Sequence, residues 1–115
     1  MHHRDLEAWK ESLEFVTEIY NITKSFPKED LWGLTSQLRR ASISVPSNIA
    51  EGCGRSTAKE TSRFIDIALG SIAEVETQLL IAQNLGYIDA SEMLQKLSKI
   101  NALTQGIRNY LKKII

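Results

Sequence analysis

The chain has one cysteine, two prolines and six glycines in 115 residues, no net charge, and no apolar run near the length of a membrane span. Each shortage excludes something. Cys53 alone cannot form an internal disulfide, which points to a reducing compartment and away from small secreted scaffolds held by several bridges. So few glycines and prolines leave too few breakers for a turn-rich all-β chain. Fourteen basic residues balance fourteen acidic ones, so the chain as a whole is not drawn to nucleic acid or to an anionic membrane, and any such attraction has to be local. The opening segment MHHRDLEAWK carries charge where a signal peptide needs an apolar stretch, and nothing approaches the roughly 20 apolar residues that cross a bilayer. The expectation is a soluble cytoplasmic protein without a membrane partner. Residues 1–115 form one domain, because the length sits at the mode for a single hydrophobic core.

What is present is helical periodicity. Leu6, Trp9, Leu13, Val16 and Tyr20 recur at spacings of three and four between charged residues. That predicts an amphipathic helix from near Asp5, whose carboxylate can cap free N–H groups, to near Ser25, just before Pro27 takes Phe26 out of helical geometry. A second series, Leu31, Leu34, Leu38, Ala41, Val45, Ile49 and Cys53, keeps its phase across Pro46. One helix kinked at Pro46 is expected, with Ser42, Ser44, Ser47 and Asn48 able to satisfy backbone groups freed there or, for Ser47 and Asn48, to bind a ligand in the notch. Gly52 and Gly54 are read as left-handed residues ending that helix. Thr57 and Glu60 have capping-box spacing, opening a third helix with the stripe Phe64, Ala68, Ile72, Val75, Leu79 and Ala82. Ile65, Leu69, Leu80 and Ile81 widen its apolar arc beyond one core face, so two surfaces are expected to be covered. Gly70 within it implies close approach of another helix. Gly86 caps its end, and Asp89 with Glu92 repeats the box for a fourth helix carrying Leu94, Leu97, Ile100, Leu103, Ile107, Leu111 and Ile114. Lys112 and Lys113 suit that helix's C-terminal dipole. Short links make the four helices antiparallel, giving an all-α, up-down-up-down four-helix bundle.

The stretch GLTSQLRRASISVPSNIAEGCGR, within Phe26 to Glu74, together with LEAWKESLEFVTEIYNITKSFP before it, resembles a family of small bacterial four-helix-bundle proteins. These are encoded in intervening sequences of large-subunit ribosomal RNA genes and were once labelled ribosomal proteins. Related to them are the accessory variability determinants of diversity-generating retroelements. The resemblance implies a non-enzymatic, cofactor-free bundle that assembles as a homopentamer. In the retroelement members it also implies partnership with a reverse transcriptase and nucleic acid. The neutrality of this chain sets it apart from the strongly basic retroelement members and nearer the intervening-sequence branch.

Charge is uneven along the chain. Met1–Ser36 holds 4 basic and 7 acidic residues, Gln37–Arg63 holds 5 and 2, and Phe64–Ile115 holds 5 and 5. The middle segment contains Arg39, Arg40, Arg55, Lys59 and Arg63, the candidate nucleic-acid-binding residues: a helix start with free N–H groups and nearby cations suits a phosphate. The alternative is that these cations pair with Glu51, Glu60, Glu74 and Glu76 and fix helices or subunits, leaving a protein–protein scaffold. Trp9, Trp32, Phe64 and Tyr110 are read as core or subunit contacts, and base stacking would require a contiguous exposed set. No catalytic residue is assigned. His2 and His3 lack any metal-ligand spacing and precede the helices on which a di-iron site would need Glu-x-x-His. Cys53 lies on the apolar phase as a small hydrophobe. The G-x-G of Gly52 and Gly54 follows no strand and lacks its third glycine.

Overall fold

Four helices carry nearly all of the chain in the computed structural model, which describes residues 1–115: α1 Glu7–Thr23, α2 Ser36–Cys53, α3 Ala58–Asn84 and α4 Ser91–Ile114. Each packs on the next, and α4 closes back on α1. Short links and this cyclic neighbour order make the expected up-down-up-down bundle, 46 × 23 × 19 Å. Its core is one cluster that includes the fully buried Ile19, Leu38, Ile49, Ile65, Val75 and Leu79, with Ile100 2% exposed.

The phase of α1 differs from the sequence reading. Ala8, Ser12, Phe15, Ile19 and Thr23 face the core, while Leu13 and Tyr20 are 47% and 38% exposed and Leu6, Trp9 and Val16 are half-buried. The two stripes lie side by side on the helix, and the smaller one wins because its hydroxyls are locally satisfied: Ser12 Oγ donates to the Trp9 carbonyl at 2.9 Å and Thr23 Oγ1 to the Ile19 carbonyl at 2.7 Å. Nor does Asp5 cap α1. It closes a short 3-10 turn, His3–Asp5, and Leu6 occupies the N-cap without a side-chain bond.

α2 begins at Ser36 rather than near Leu31. The preceding turn of five residues, Leu31–Thr35, is interrupted at Gly33, and Asp30 accepts from the Leu34 N–H at 3.1 Å. Beyond that point α2 runs through Pro46 as a single helix, as its phase requires, with Pro46 itself buried. Neither Gly52 nor Gly54 is left-handed, contrary to expectation. Gly52 is needed for proximity instead: a Cβ there would meet Phe64 Cβ at 3.0 Å and the Thr61 carbonyl at 3.2 Å, so its absence lets α2 and α3 close.

Thr57 Oγ1 accepts from the Glu60 N–H at 3.2 Å and starts α3 as predicted. The predicted stripe from Ala68 to Ala82 is buried; Phe64 is half-buried, and the fully buried Ile65 joins the core. Leu80 and Ile81 stay exposed, so the chain itself does not cover the wide arc. Gly86, at φ +77°, closes α3 with the paired bonds Gly86 N–H to Gln83 and Tyr87 N–H to Ala82 that define a Schellman end. No atom lies within 4 Å of a Cβ built on Gly70, so no helix of this chain approaches it. α4 is capped differently from the reading. Ala90 is its N-cap, and Asp89 lies one residue earlier, accepting from the Ser91 N–H at 3.0 Å and hydroxyl at 2.6 Å. Those bonds hold the Asp89 carboxyl below its usual value. Ile114, placed on the apolar stripe by the sequence, is exposed as the last residue of α4.

Candidate nucleic-acid interface

Three of the five candidate cations gather where α2 ends and α3 begins. The Arg55 guanidinium donates to Glu51 Oε1 at 2.7 Å and sits 4.6 Å from the Phe64 ring centre, and the Arg63 guanidinium lies 4.9 Å from the same ring. Phe64 is therefore a half-buried platform for two like charges, each attracted to its face by about 0.5 to 1 kcal/mol at such a surface. Lys59 is exposed on the same end, and neither it nor Arg63 makes an ion pair within 4.0 Å. Of the predicted pairing acids, only Glu51 takes a cation from this set.

Arg39 and Arg40 stand apart, about 22 Å up α2 from Arg55 at 1.5 Å per residue. Arg39 turns to α1, where its Nε donates to Thr23 Oγ1 at 2.9 Å and its guanidinium covers Tyr20 at 4.7 Å. It is half-buried and ties helices together. Arg40 is exposed on the other flank of α2, beside Trp32, Gln37 and Glu74. The five candidates thus form one cluster of three, one solitary cation and one interhelical tie.

Two further cations run toward the same end of the bundle. Arg108 Nε bonds Asp66 Oδ1 at 2.7 Å, which sets the antiparallel register of α3 and α4 and brings Lys112 and Lys113 to the end where α3 starts. The sequence reading gave them only a dipole role. Their place follows from the antiparallel topology once the helices are counted.

Of the polar groups around Pro46, Ser42 donates to the Arg39 carbonyl at 2.8 Å, Ser47 is exposed, and Asn48 and Ser44 bond each other. Asn48 Nδ2 donates to the Ser44 carbonyl and hydroxyl, both at 2.8 Å, and Ser71 Oγ of α3 donates to Ser44 Oγ at 2.8 Å. Asn48 therefore ties back to Ser44 rather than to the Ser42 carbonyl that Pro46 leaves free, and Ser44 bridges to α3. Cys53 is half-buried, and burial pushes its thiol up from the usual 9.0. His2 accepts from the Arg4 N–H at 3.2 Å and stacks on His3, which meets the edge of Trp9. Among the four aromatics, Trp9 and Phe64 are half-buried and Tyr110 is exposed, while Trp32, read as a core or subunit contact, is 88% exposed.

A family model described as 23S rRNA-intervening sequence protein matches residues 4–109. The chain belongs to that family. A solved structure described as a protein of unknown function from the S23 ribosomal protein family, of Bacteroides thetaiotaomicron, is 25% identical with a TM-score of 0.66, over 94% of this chain and 97% of that one. None of the curated proteins compared with the chain matches it. The family match extends over α1, α2, α3 and most of α4, so Arg55, Lys59 and Arg63 and the turn bearing Trp32 lie within it, while Lys112 and Lys113 lie beyond it. No helix of this family member is long and apolar enough to cross a membrane.

Proposed function

We propose that this chain is a non-catalytic, homo-oligomeric accessory protein of an intervening or mobile genetic element, and that it contacts RNA phosphates through the end of the bundle bearing Arg55, Lys59 and Arg63. The observation that carries this is that Arg55 and Arg63 share the Phe64 ring at the bundle end that also bears Lys59, while of these three only Arg55 is paired with a carboxylate. An oligomer would repeat this group around a ring, adding avidity. Arg39 is left out of the contact because its guanidinium is engaged with α1.

Filter binding of structured RNA tests it. Retention falls steeply between about 50 and 200 mM salt if phosphates lead the binding, and the double substitution Arg55→Glu with Arg63→Glu abolishes retention at the upper end. Affinity indifferent to salt overturns the reading.

A second reading, a scaffold for another protein such as a reverse transcriptase, is supported by an unpartnered apolar stripe. Leu13, Tyr20 and Ile43 are exposed, and Trp9, Val16, Ile43 and Ala50 line an open hollow of about 280 Å³ between α1 and α2. That stripe also supports self-association, and a homopentamer is the assembly proposed. Light scattering that reports a stable 13.0 kDa monomer at micromolar concentration removes the oligomer. A charge-reversed double variant that still retains RNA favours the scaffold.

A further inference from the structure

Trp32 is the most exposed large apolar side chain of the molecule, and an indole held in water forgoes the burial that such rings normally gain. The turn beneath it is firmly built. One oxygen of Asp30 accepts from the Leu34 N–H at 3.1 Å, and the other accepts from the Tyr87 hydroxyl at 2.9 Å, reaching across from the α3–α4 link. Tyr87 is itself packed on the buried Phe26, ring centres 5.3 Å apart. A Cβ on Gly33 would stand 2.5 Å from Asp30 Oδ1, so a glycine is what allows the carboxylate to clamp the turn. The indole is therefore presented outward by a preorganised segment.

Beside it lies an open hollow of about 420 Å³ whose lining is mostly polar: Ser36, Gln37, Arg40, Ser44 and Glu74. Arg40 has no carboxylate within 4.0 Å, although Glu74 borders the same hollow. An aromatic face, an unpaired guanidinium, and an amide with a carboxylate stand together. Stacking needs the first, a phosphate the second, and the donor and acceptor edge of a base the third. An apolar protein anchor would instead be expected to border an apolar hollow. Farther along the outward face of α2, a second hollow lined by Ser47, Ala50, Glu51, Gly54 and Arg55 leads to the cation cluster.

We infer that Trp32, Arg40, Gln37 and Glu74 form a site for one unpaired RNA base, at the far end of a single strand whose phosphates are held by Arg55 and Arg63. Trp32 stacks the base, Arg40 takes the adjoining phosphate, and Gln37 and Glu74 meet the base edge. The inference rests on the RNA reading above and adds a preference for single strands.

Trp9→Phe makes Trp32 the sole indole, and its fluorescence is titrated with a short oligouridylate and with duplex RNA of equal length. The single strand quenches it and the duplex does not. In the otherwise native chain, Trp32→Ala weakens oligouridylate retention on filters at least about fivefold, Trp32→Phe retains most of the affinity, and Arg40→Gln lowers the salt slope by about one. Unchanged affinity in Trp32→Ala, with loss in Arg55→Glu and Arg63→Glu, overturns the base site while leaving the phosphate contact standing. Absence of RNA binding by the native protein overturns both. A Trp32→Ala variant that changes the assembly's mass in light scattering but not its RNA affinity overturns the base site and makes Trp32 a subunit contact.

Discussion

The seam between α2 and α3 and the seam between α1 and α4 are built on opposite plans. Along the first, small residues meet: Gly52 admits Phe64 and Thr61, Thr61 Oγ1 donates to the Gly52 carbonyl at 2.8 Å, and Ser44 bonds Ser71. Along the second, long charged side chains span the gap, Lys96 to Glu18 and Lys99 to Glu11, each at 2.8 Å. Below those pairs the helices leave an apolar hollow of about 570 Å³ lined by Met1, Leu6, Ala8, Leu103, Ile107 and Tyr110, among others. Close backbone approach excludes water and makes each lost atom costly, whereas exposed ion pairs contribute little and respond to solvent. The cation cluster and the Trp32 hollow both border the tight seam. The two proposed contact surfaces are thus mounted on the more closely packed half of the bundle.

The largest expected effect is in the tight half. Ile49 is fully buried on α2, and Ile49→Ala should cost about 2 to 5 kcal/mol because its neighbours cannot fill the space, read as a lower urea midpoint. Next come the glycines, where one kind of substitution changes sign with location. Gly52→Leu forces its side chain into Phe64 and the Thr61 backbone, a loss of about 1 to 3 kcal/mol or more. Gly70→Ala meets nothing within 4 Å on a helix surface, so it should stabilise by about 0.5 to 1 kcal/mol. Equal thermal midpoints for the two variants would erase the contrast between the α2–α3 seam and the open surface of α3.

Much of this was readable from the chain. The positions of α3 and α4, the Thr57 cap, the Gly86 end and the passage of α2 through Pro46 follow from local rules that tertiary packing did not override. The failures have separate causes. On α1 two apolar stripes compete, and hydrophobicity alone favours Leu13 and Tyr20 over Ser12 and Thr23; only the backbone bonds of those hydroxyls make the smaller stripe fit the core. Gly52 reads as a left-handed helix end because closeness between helices has no sequence signature distinct from one. The basic residues could be found by counting charge, yet their grouping depends on helix faces: Arg39 and Arg40 are adjacent in sequence and turn to opposite neighbours. Trp32, expected in a core or subunit contact, is outside the core of this chain. Its exposure depends on the Asp30 clamp, whose second bond comes from Tyr87, 57 residues away.

The smallest effect belongs to the ion-paired seam and is told apart by its dependence on solvent. Glu11 is held below its ordinary 4.5 by the hydrogen bond from Lys99. Its contribution is therefore complete above that value and lost as the pH falls through the lower, folded one. Lys99 and Lys96 are held above 10.5 by the bonds to Glu11 and Glu18, so theirs is complete below 10.5 and lost as the pH rises through the folded values. Stability should be flat through neutrality and fall at both ends, and Lys99→Met should move the acid limb toward 4.5 by freeing Glu11. At molar salt, where screening acts within about 3 Å, Lys99→Met and the native chain should share one thermal midpoint, while the difference between Gly52→Leu and Gly70→Ala persists. Were the salt-induced loss equal in both pairs, the α1–α4 seam would be held by packing after all, since only exposed charge pairs are screened in this way.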